Sequence, residues 1–431
     1  MKYIILSLCS LLFVSCTLDQ NKKQIAQSSA YNYLIELAEK ESANTPQSSL
    51  DFWNKKLSAD PKNNLYKEKI ASIYSKEFRK QGDIKNILKS DSLLKVVEAE
   101  YAFSKASIYH SLGANAITQH EFKRAKTYAD KALLEGDKKD QSFNLLFDAS
   151  MELGDYPAAR AILNIKEQKT GFDYLIRASK LADHDGDLKT AIALMEQAYD
   201  RVQNHPSLSL WAKSNLGDMY GHDGRIKDAY NAYLQVLAKQ PTHWHSWQGI
   251  AWVNYSNDGN IPEAKRILEF INTHNNNPLT KLLLAEIASY ENQNELADTY
   301  TNDFYEEVSQ TEYQKMYAKY LILLEAETLD LTDKALNRAI KERNARATPE
   351  VHDLVAWSHL KMGENQKALE IAQRHVEGKT SEPDVLHHLG MIYRANGNSE
   401  KAKAFLQEAL EAEYELGPVT INSIKQELAR L

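Results

Sequence analysis

The chain of 431 residues is 26% charged and 43% hydrophobic, and it contains only 16 glycines and 10 prolines. This low content of turn-forming residues argues against turn-rich β-sandwiches, β-barrels and disordered chains. The 52 basic and 59 acidic residues give a net charge of −7. A broad basic surface for nucleic acid or anionic lipid is therefore not expected.

The amino terminus has the order of a secretory signal, with Lys2, an apolar run over residues 3–14, and then Ser15 before Cys16. The run is shorter than the ~20 residues that a membrane-spanning helix needs. Its ending resembles the bacterial lipoprotein signal, with Phe13 in a place where Leu is usual. The resemblance implies that residues 1–15 are removed as a signal peptide and that Cys16 is acylated, for example with palmitate. An uncleaved or ordinarily cleaved leader is the alternative.

The residues around Cys16 extend this prediction. Residues 16–30 would comprise the lipidated Cys and a polar tether to the first helix. Thr17 stands where an Asp would favour the inner membrane, so we expect a lipid-anchored protein of the bacterial envelope at the outer membrane. The only other cysteine, Cys9, lies in the segment that would be removed. The mature body would then have no thiol for a disulfide, a metal site or a nucleophile.

One pattern of small and apolar residues recurs in stretches that begin at Ala106, Leu210 and Pro383. In the last copy it consists of Leu386, Leu389, Gly390, Tyr393, Gly397, Ala402, Leu406, Ala409 and Leu410. This pattern resembles the tetratricopeptide repeat (TPR), a helix-turn-helix unit of 34 residues. The alanines and glycines fit the resemblance, because antiparallel helices approach closely only where a small side chain meets the partner helix.

Weaker copies begin at Asp140, Phe172, Trp244 and Pro349, and the copy from Trp244 has one extra residue near 257–259. The pattern divides the chain into degenerate repeats over 31–105, TPR repeats over 106–277, degenerate repeats over 278–348 and TPR repeats over 349–415. The resemblance implies an all-α, right-handed superhelical solenoid of about nine or ten helix pairs. A capping helix is predicted over 416–431 by the spacing of Ile421, Ile424, Leu428 and Leu431.

Motifs of catalysis and metal binding are missing from the sequence. It contains no glycine-rich phosphate loop, no nucleophile elbow and no His-Glu-x-x-His motif, so we expect neither an enzyme nor a cofactor. Histidines cluster only at His243, His245, His387 and His388, and neither cluster supplies the ligands of a closed zinc site. Of the adjacent pair His387 and His388, one is expected to face the groove and the other to pack or to point to solvent.

The family resemblance assigns the functional surface. In TPR proteins the first helix of each pair lines a concave groove that binds an extended peptide or a helix of a partner. Carried over residue by residue, the groove-facing positions nominate as partner-binding residues Trp211, Asp218, His245, Gln248, Trp252, Tyr255, Trp357, His387 and Arg394. The Lys and Asn set by which some family members hold a C-terminal carboxylate is missing here.

Two functions remain open on the sequence. The first is a non-catalytic, membrane-anchored TPR scaffold that binds a protein or peptide partner at the bacterial cell envelope. The second is a glycan-binding surface lipoprotein, in which Trp211, Trp252 and Tyr255 would form an aromatic platform for sugar rings. The chain lacks the long irregular insertions that such glycan-binding proteins carry, which favours the scaffold.

Overall fold

The computed structural model describes residues 24–43, 48–101, 104–166, 169–309 and 312–431. Within these ranges the chain consists of helices joined by short turns and contains no β-strand. The all-α solenoid expected from the sequence is confirmed. Cys16 and the predicted signal peptide lie outside the described residues.

Ten helix pairs form the body of the described chain. The first five are α3 (Asn64–Gln81) with α4 (Ile84–Glu100), α5 (Ala106–Thr118) with α6 (Phe122–Glu135), α7 (Lys139–Leu153) with α8 (Tyr156–Ile165), α9 (Phe172–His184) with α10 (Leu188–Val202), and α11 (Leu208–His222) with α12 (Ile226–Lys239). The other five are α13 (Trp244–Trp252) with α14 (Ile261–His274), α15 (Leu279–Tyr290) with α16 (Asn294–Ser309), α17 (Ala318–Glu327) with α18 (Thr332–Ala345), α19 (Pro349–Lys361) with α20 (Asn365–His375), and α21 (Pro383–Ala395) with α22 (Ser399–Leu410). Helices α1 (Asn32–Ala43) and α2 (Ser48–Ala59) precede the pairs, and α23 (Glu413–Leu428) follows them.

In several pairs, the turn between the two helices is encoded by a glycine followed by a capping residue. Gly397 follows α21 with φ of 78°, a left-handed conformation that strains any residue with a Cβ. The next residue, Asn398, begins the second helix by accepting a hydrogen bond from the Lys401 N–H at 3.1 Å. Gly82-Asp83, Gly154-Asp155 and Gly186-Asp187 stand at the corresponding turns of three other pairs.

Small residues lie where the two helices of a pair cross. A Cβ on Gly390 of α21 would lie 2.6 Å from Cγ of Leu406 on α22. Ala402, one turn earlier on α22, has no exposed surface. The crossing therefore leaves no room for a larger side chain at either place.

Replacing Ala402 with leucine is expected to lower the free energy of unfolding by about 1–3 kcal/mol, because the added methylenes must overpack this crossing. Ala404→Leu is the matched control, since Ala404 is exposed on the same helix. Chemical denaturation followed by circular dichroism measures both variants. Unchanged unfolding of Ala402→Leu would contradict the helix register described here.

The solenoid coils so tightly that its early helix pairs contact its late ones. Ile84 and Ile87 of α4 share an apolar cluster with Phe304 of α16 and with Tyr313. Farther along, Nζ of Lys123 donates to the Asn344 carbonyl at 2.7 Å. These contacts join residues about two hundred positions apart, and they fix the curvature of the concave side.

The segment before α1 packs on the middle of the solenoid. The N–H groups of Ile25 and Ala26 donate to the Asp258 carboxylate at 3.0 and 2.7 Å, and the Tyr31 hydroxyl donates to Glu263 at 2.7 Å. The Tyr31 ring is fully buried and forms a T-shaped contact with Trp247, with 5.9 Å between the ring centroids. Residues 24–30 were expected to belong to the polar tether, and they are bound to the repeats instead because their backbone donors find this carboxylate.

The end of the solenoid is covered by α23, as the sequence predicts. Ile421 and Ile424 are buried against Leu406 and the rest of the last pair, and Leu428 is partly buried there. Leu431 lies beyond the helix and is exposed, so it does not join this face. Near the start of α23 the helix is interrupted at Gly417, with φ of 73° and ψ of 166°.

Candidate functional site

A cavity of about 270 Å³ lies where the first helices of three consecutive pairs meet the start of α23. Its lining includes Asp218 of α11 and His245, Gln248 and Trp252 of α13. The other lining residues are His222, Tyr233, Gly249, Leu283, Tyr414 and Glu415. We call this cavity the central cleft. It brings together four of the nine side chains that the family resemblance assigned to partner binding.

The floor of the central cleft is the ring of Tyr233, which reaches it from α12. A Cβ on Gly217 would lie 2.5 Å from this ring, and a Cβ on Gly249 would lie 2.4 Å from it. The two glycines therefore open a passage between α11 and α13 that only this ring fills. Through it the Tyr233 hydroxyl donates to Oδ1 of Asp218 at 2.7 Å.

The Asp218 carboxylate also binds the imidazole of His245, whose Nε2 lies 2.8 Å from Oδ2. Burial alone would lower the pKa of His245, but the hydrogen bond and the negative charge of Asp218 raise it above the ordinary value. The His245 side chain nevertheless keeps 53% of its surface exposed. The pair thus presents an oriented imidazole to the cleft.

The cleft is closed on one side by the chain's own residues 413–417. The carbonyl of Tyr414 accepts hydrogen bonds from Nε1 of Trp252 at 2.8 Å and from the Ser256 hydroxyl at 2.7 Å. The Tyr414 ring lies against Gly221, where a Cβ would come within 2.7 Å of it. Tyr414 was not predicted from the sequence, because the family assigns the groove to the first helices of the pairs and not to the cap. Gly221 is the sequence feature that could have indicated this contact, because it is a glycine inside a helix at a groove position.

Tyr255 does not face the cleft as expected, and only 2% of it is exposed. After Trp252 the helix continues as a single π-turn over Val253–Asn257, which accommodates the extra residue noted in this repeat. The wider turn places the Tyr255 ring beside Trp252, with 5.4 Å between the ring centroids. Its hydroxyl donates to Oε1 of Glu286 at 3.1 Å. Burial raises the pKa of Glu286 to about 7, and the hydrogen bond from Tyr255 only partly opposes this shift.

Glu286 gives the structure a pH dependence. The folded protein keeps this carboxyl protonated up to about pH 7, whereas the unfolded chain releases the proton near its ordinary pKa of 4.5. The stabilising effect of the bound proton is therefore full below about pH 4.5 and is lost as the pH rises through about 7. The glutamine of Glu286→Gln does not titrate, so the variant should not lose stability in this way. Its free energy of unfolding should therefore rise relative to that of the wild type between about pH 5 and 8. Urea unfolding of both proteins across this range measures it, and a constant difference would contradict the assignment.

Trp211 lies apart from the central cleft. It lies at the start of α11 and is 41% exposed. Its ring forms a T-shaped contact with Phe172, with 6.0 Å between the ring centroids. Trp252 and Tyr255 are inclined at 62° to each other, and Tyr255 is buried. The three rings therefore do not form the flat aromatic platform on which the glycan-binding alternative depended.

Trp357 is also buried rather than groove-facing, with 2% of its surface exposed. It stacks on His388 at 3.8 Å between ring centroids, and His388 bonds to Oδ2 of Asp353 at 2.6 Å through Nδ1. Burial lowers the pKa of His388, but the charge and hydrogen bond of Asp353 outweigh it and raise the pKa. The neighbouring His387 is only partly buried, and burial together with His388 lowers its pKa to about 3. His388 thus packs inside the helices and leaves His387 nearer the groove.

The last nominated residue, Arg394, forms an ion pair with Glu427 of the capping helix. On the same concave side, Lys319 of α17 pairs with Asp384 of α21 at 2.6 Å. Lys319 was not predicted from the sequence, because it lies in the degenerate region where the repeat positions cannot be aligned. The first ion pair joins α21 to the capping helix, and the second joins α17 to α21 across α19.

The described part of the chain contains no group of three or more His, Cys, Asp or Glu side chains arranged to hold a metal ion. Among the same residues, no helix combines the length and the apolar character that crossing a bilayer requires.

One repeat of the chain matches a known protein family. Residues 383–415 match the family model described as tetratricopeptide repeat, so the repeat predicted from Pro383 is confirmed. A comparison with curated protein sequences finds no significant match.

Among solved structures, the human IFIT1 dimer with PPP-AAAA has 11% sequence identity and a TM-score of 0.43, covering 90% of this chain and 96% of that one. PilF of Pseudomonas aeruginosa has 14% identity and a TM-score of 0.37, covering 50% and 97%. YrrB, described as a TPR protein with an unusual peptide-binding site, has 16% identity and a TM-score of 0.27, covering 45% and 95%. The chain thus carries a tetratricopeptide repeat at 383–415 within an all-α solenoid of helix pairs.

Proposed function

We propose that this protein is a non-catalytic scaffold, lipid-anchored at the bacterial envelope, that holds a protein or peptide partner in the central cleft. The observation that carries the proposal is that the cleft already binds a peptide segment, residues 413–417 of the same chain. Trp252 and Ser256 both donate to one backbone carbonyl of that segment. Such donors recognise the backbone of any peptide, whatever its sequence.

The open part of the cleft offers further groups for a partner. His245 is oriented by Asp218, and the Gln248 amide contributes both a donor and an acceptor. The Trp252 ring is only partly buried, and Leu283 adds an apolar surface. This combination of an aromatic ring with a few fixed polar groups is typical of sites that bind peptides tightly.

Affinity capture from crosslinked envelopes tests the proposal. We expect His245→Ala/Gln248→Ala to lose a protein that the wild type captures, because both side chains line the open part of the cleft. The control is Lys227→Ala/Asn231→Ala, which changes two exposed residues of α12 outside the lining. Equal capture by the cleft variant and the wild type, with both folded, would contradict the proposal.

The membrane anchor is tested separately. Cys16→Ala should leave an unacylated precursor and abolish stable membrane attachment, because the only proposed acylation site is removed. Metabolic labelling with a palmitate analogue, followed by membrane fractionation, measures both effects. Continued labelling of the Cys16→Ala protein would refute the anchor and leave the scaffold function to be judged on its own test.

A further inference from the structure

A second cavity, of about 260 Å³, lies between the end of α3, the start of α13 and the loop that joins α14 to α15. It shares only His245 and Gln248 with the central cleft. We call it the Arg79 pocket. Its lining consists of Phe78, Arg79, Lys80, Gly82, Gln240, Thr242, His243, Trp244, His245, Gln248, Asn275, Asn277 and Tyr317.

The Arg79 pocket is lined by cations and neutral polar groups, and none of its lining residues is a carboxylate. Two carboxylates lie behind the lining, Asp218 bonded to His245 and Glu41 bonded to Thr242. Neither of them bonds to Arg79 or Lys80. Within the described part of the chain, the side chains of Arg79 and Lys80 make no hydrogen bond or ion pair. Arg79 remains exposed to solvent, and partial burial among its neighbours lowers its pKa with no acid opposing the shift.

These two cations are not needed to cap their own helix. Basic side chains in a last turn often interact with the free carbonyls there. At the end of α3, however, the Phe78 carbonyl accepts from the Gly82 N–H at 2.7 Å, and the Gln81 carbonyl accepts from the Asn276 N–H at 2.8 Å. The Lys80 carbonyl accepts from Nδ2 of Asn275 at 3.1 Å. The two side chains therefore have no partner, although three of the last four carbonyls of α3 accept hydrogen bonds from other groups.

The walls of the pocket are fixed by contacts between distant parts of the chain. A Cβ on Gly82 would lie 3.1 Å from the Asn277 N atom, so the two backbones meet directly. The Tyr317 hydroxyl donates to Oδ1 of Asn277 at 3.3 Å. Trp244 and Phe78 supply aromatic surface beside these polar groups. The site is thus assembled by the tertiary structure and is already formed without a ligand.

We propose that the Arg79 pocket binds a small anion through a carboxylate or phosphate group. The guanidinium of Arg79 matches the two oxygens of either group, and Lys80 adds a second positive charge. The amide of Gln240 adds a neutral donor beside them. This site goes beyond the scaffold function and does not depend on it.

Isothermal titration of the full chain with inorganic phosphate, and separately with succinate, tests the proposal at constant ionic strength. We expect saturable binding of at least one anion, and the tighter of the two identifies the group that the pocket takes. Arg79→Gln should weaken that binding about tenfold or more, because a charge-assisted hydrogen bond is lost. Arg79→Lys should restore part of it.

Lys76→Gln is the matched control, because it removes one positive charge from an exposed position of the same helix outside the pocket. It should leave the affinity within about twofold of the wild type, since an exposed charge at a distance is screened by salt. Circular dichroism verifies that each variant is folded. Absence of saturable binding for both anions, or an equal loss in Lys76→Gln and Arg79→Gln, would overturn the proposal.

Discussion

Replacing Trp247 with alanine is expected to lower the free energy of unfolding by about 3–5 kcal/mol, because it empties a large, fully buried site. The Trp247 side chain is fully buried, and its ring forms T-shaped contacts with Tyr31 and Phe270, with 5.9 and 5.8 Å between the ring centroids. Its Nε1 donates to the Pro241 carbonyl at 2.8 Å. The substitution would leave a cavity at the point where α1, α13 and α14 meet. Chemical denaturation followed by circular dichroism measures the loss.

Trp211→Ala is the control for this prediction, because it removes the same side chain from an exposed site. We expect it to change the stability by less than about 1 kcal/mol. A similar loss in both variants would mean that Trp211 also belongs to the core. A small loss in Trp247→Ala would contradict the packing of the amino-terminal segment on the middle of the solenoid.

Replacing His388 with alanine is expected to cost about 3–5 kcal/mol, because it leaves the Asp353 carboxylate buried without its partner. The two side chains are 7% and 3% exposed and lie 2.6 Å apart. Burial already raises the pKa of Asp353 despite the opposing charge of His388. Without that charge the carboxyl should stay protonated to a higher pH. Denaturation at several pH values measures both the loss and its pH dependence.

The neighbouring residue provides the control, since His387 is only partly buried and carries no charge at neutral pH. His387→Ala should therefore cost much less than His388→Ala. The double variant Asp353→Ala/His388→Ala should be less destabilised than the sum of its two single variants, because no buried charge is left unpaired. Strict additivity would show that the two side chains do not interact.

Local features of the fold could be predicted from the sequence. The Gly-Asn and Gly-Asp turns, the small residues at helix crossings and the face of α23 are set by residues close together in the chain. Their spacing is enough to reveal them, as Gly390, Ala402 and Ile421 illustrate. The four nominated residues that line the central cleft were likewise predicted from their positions within the repeats.

The remaining features depend on contacts between distant residues, which spacing does not encode. Tyr255 and Trp357 were placed in the groove by their repeat positions, but a π-turn and a stacked histidine bury them. The insertion of Tyr414 into the cleft joins residues 158 and 162 positions apart. Likewise, the Arg79 pocket forms only because the end of α3 meets Asn275 and Asn276.

Site-specific photocrosslinking in intact cells tests most directly whether the central cleft holds a partner. A photoreactive amino acid at Gln248 lies in the cleft lining, and the same group at Lys227 lies on the exposed surface of α12. The account predicts a discrete protein adduct from position 248 that is absent from position 227 and is lost when His245 is replaced with alanine. Adducts from position 227 alone, or an adduct at 248 unaffected by His245→Ala, would contradict it.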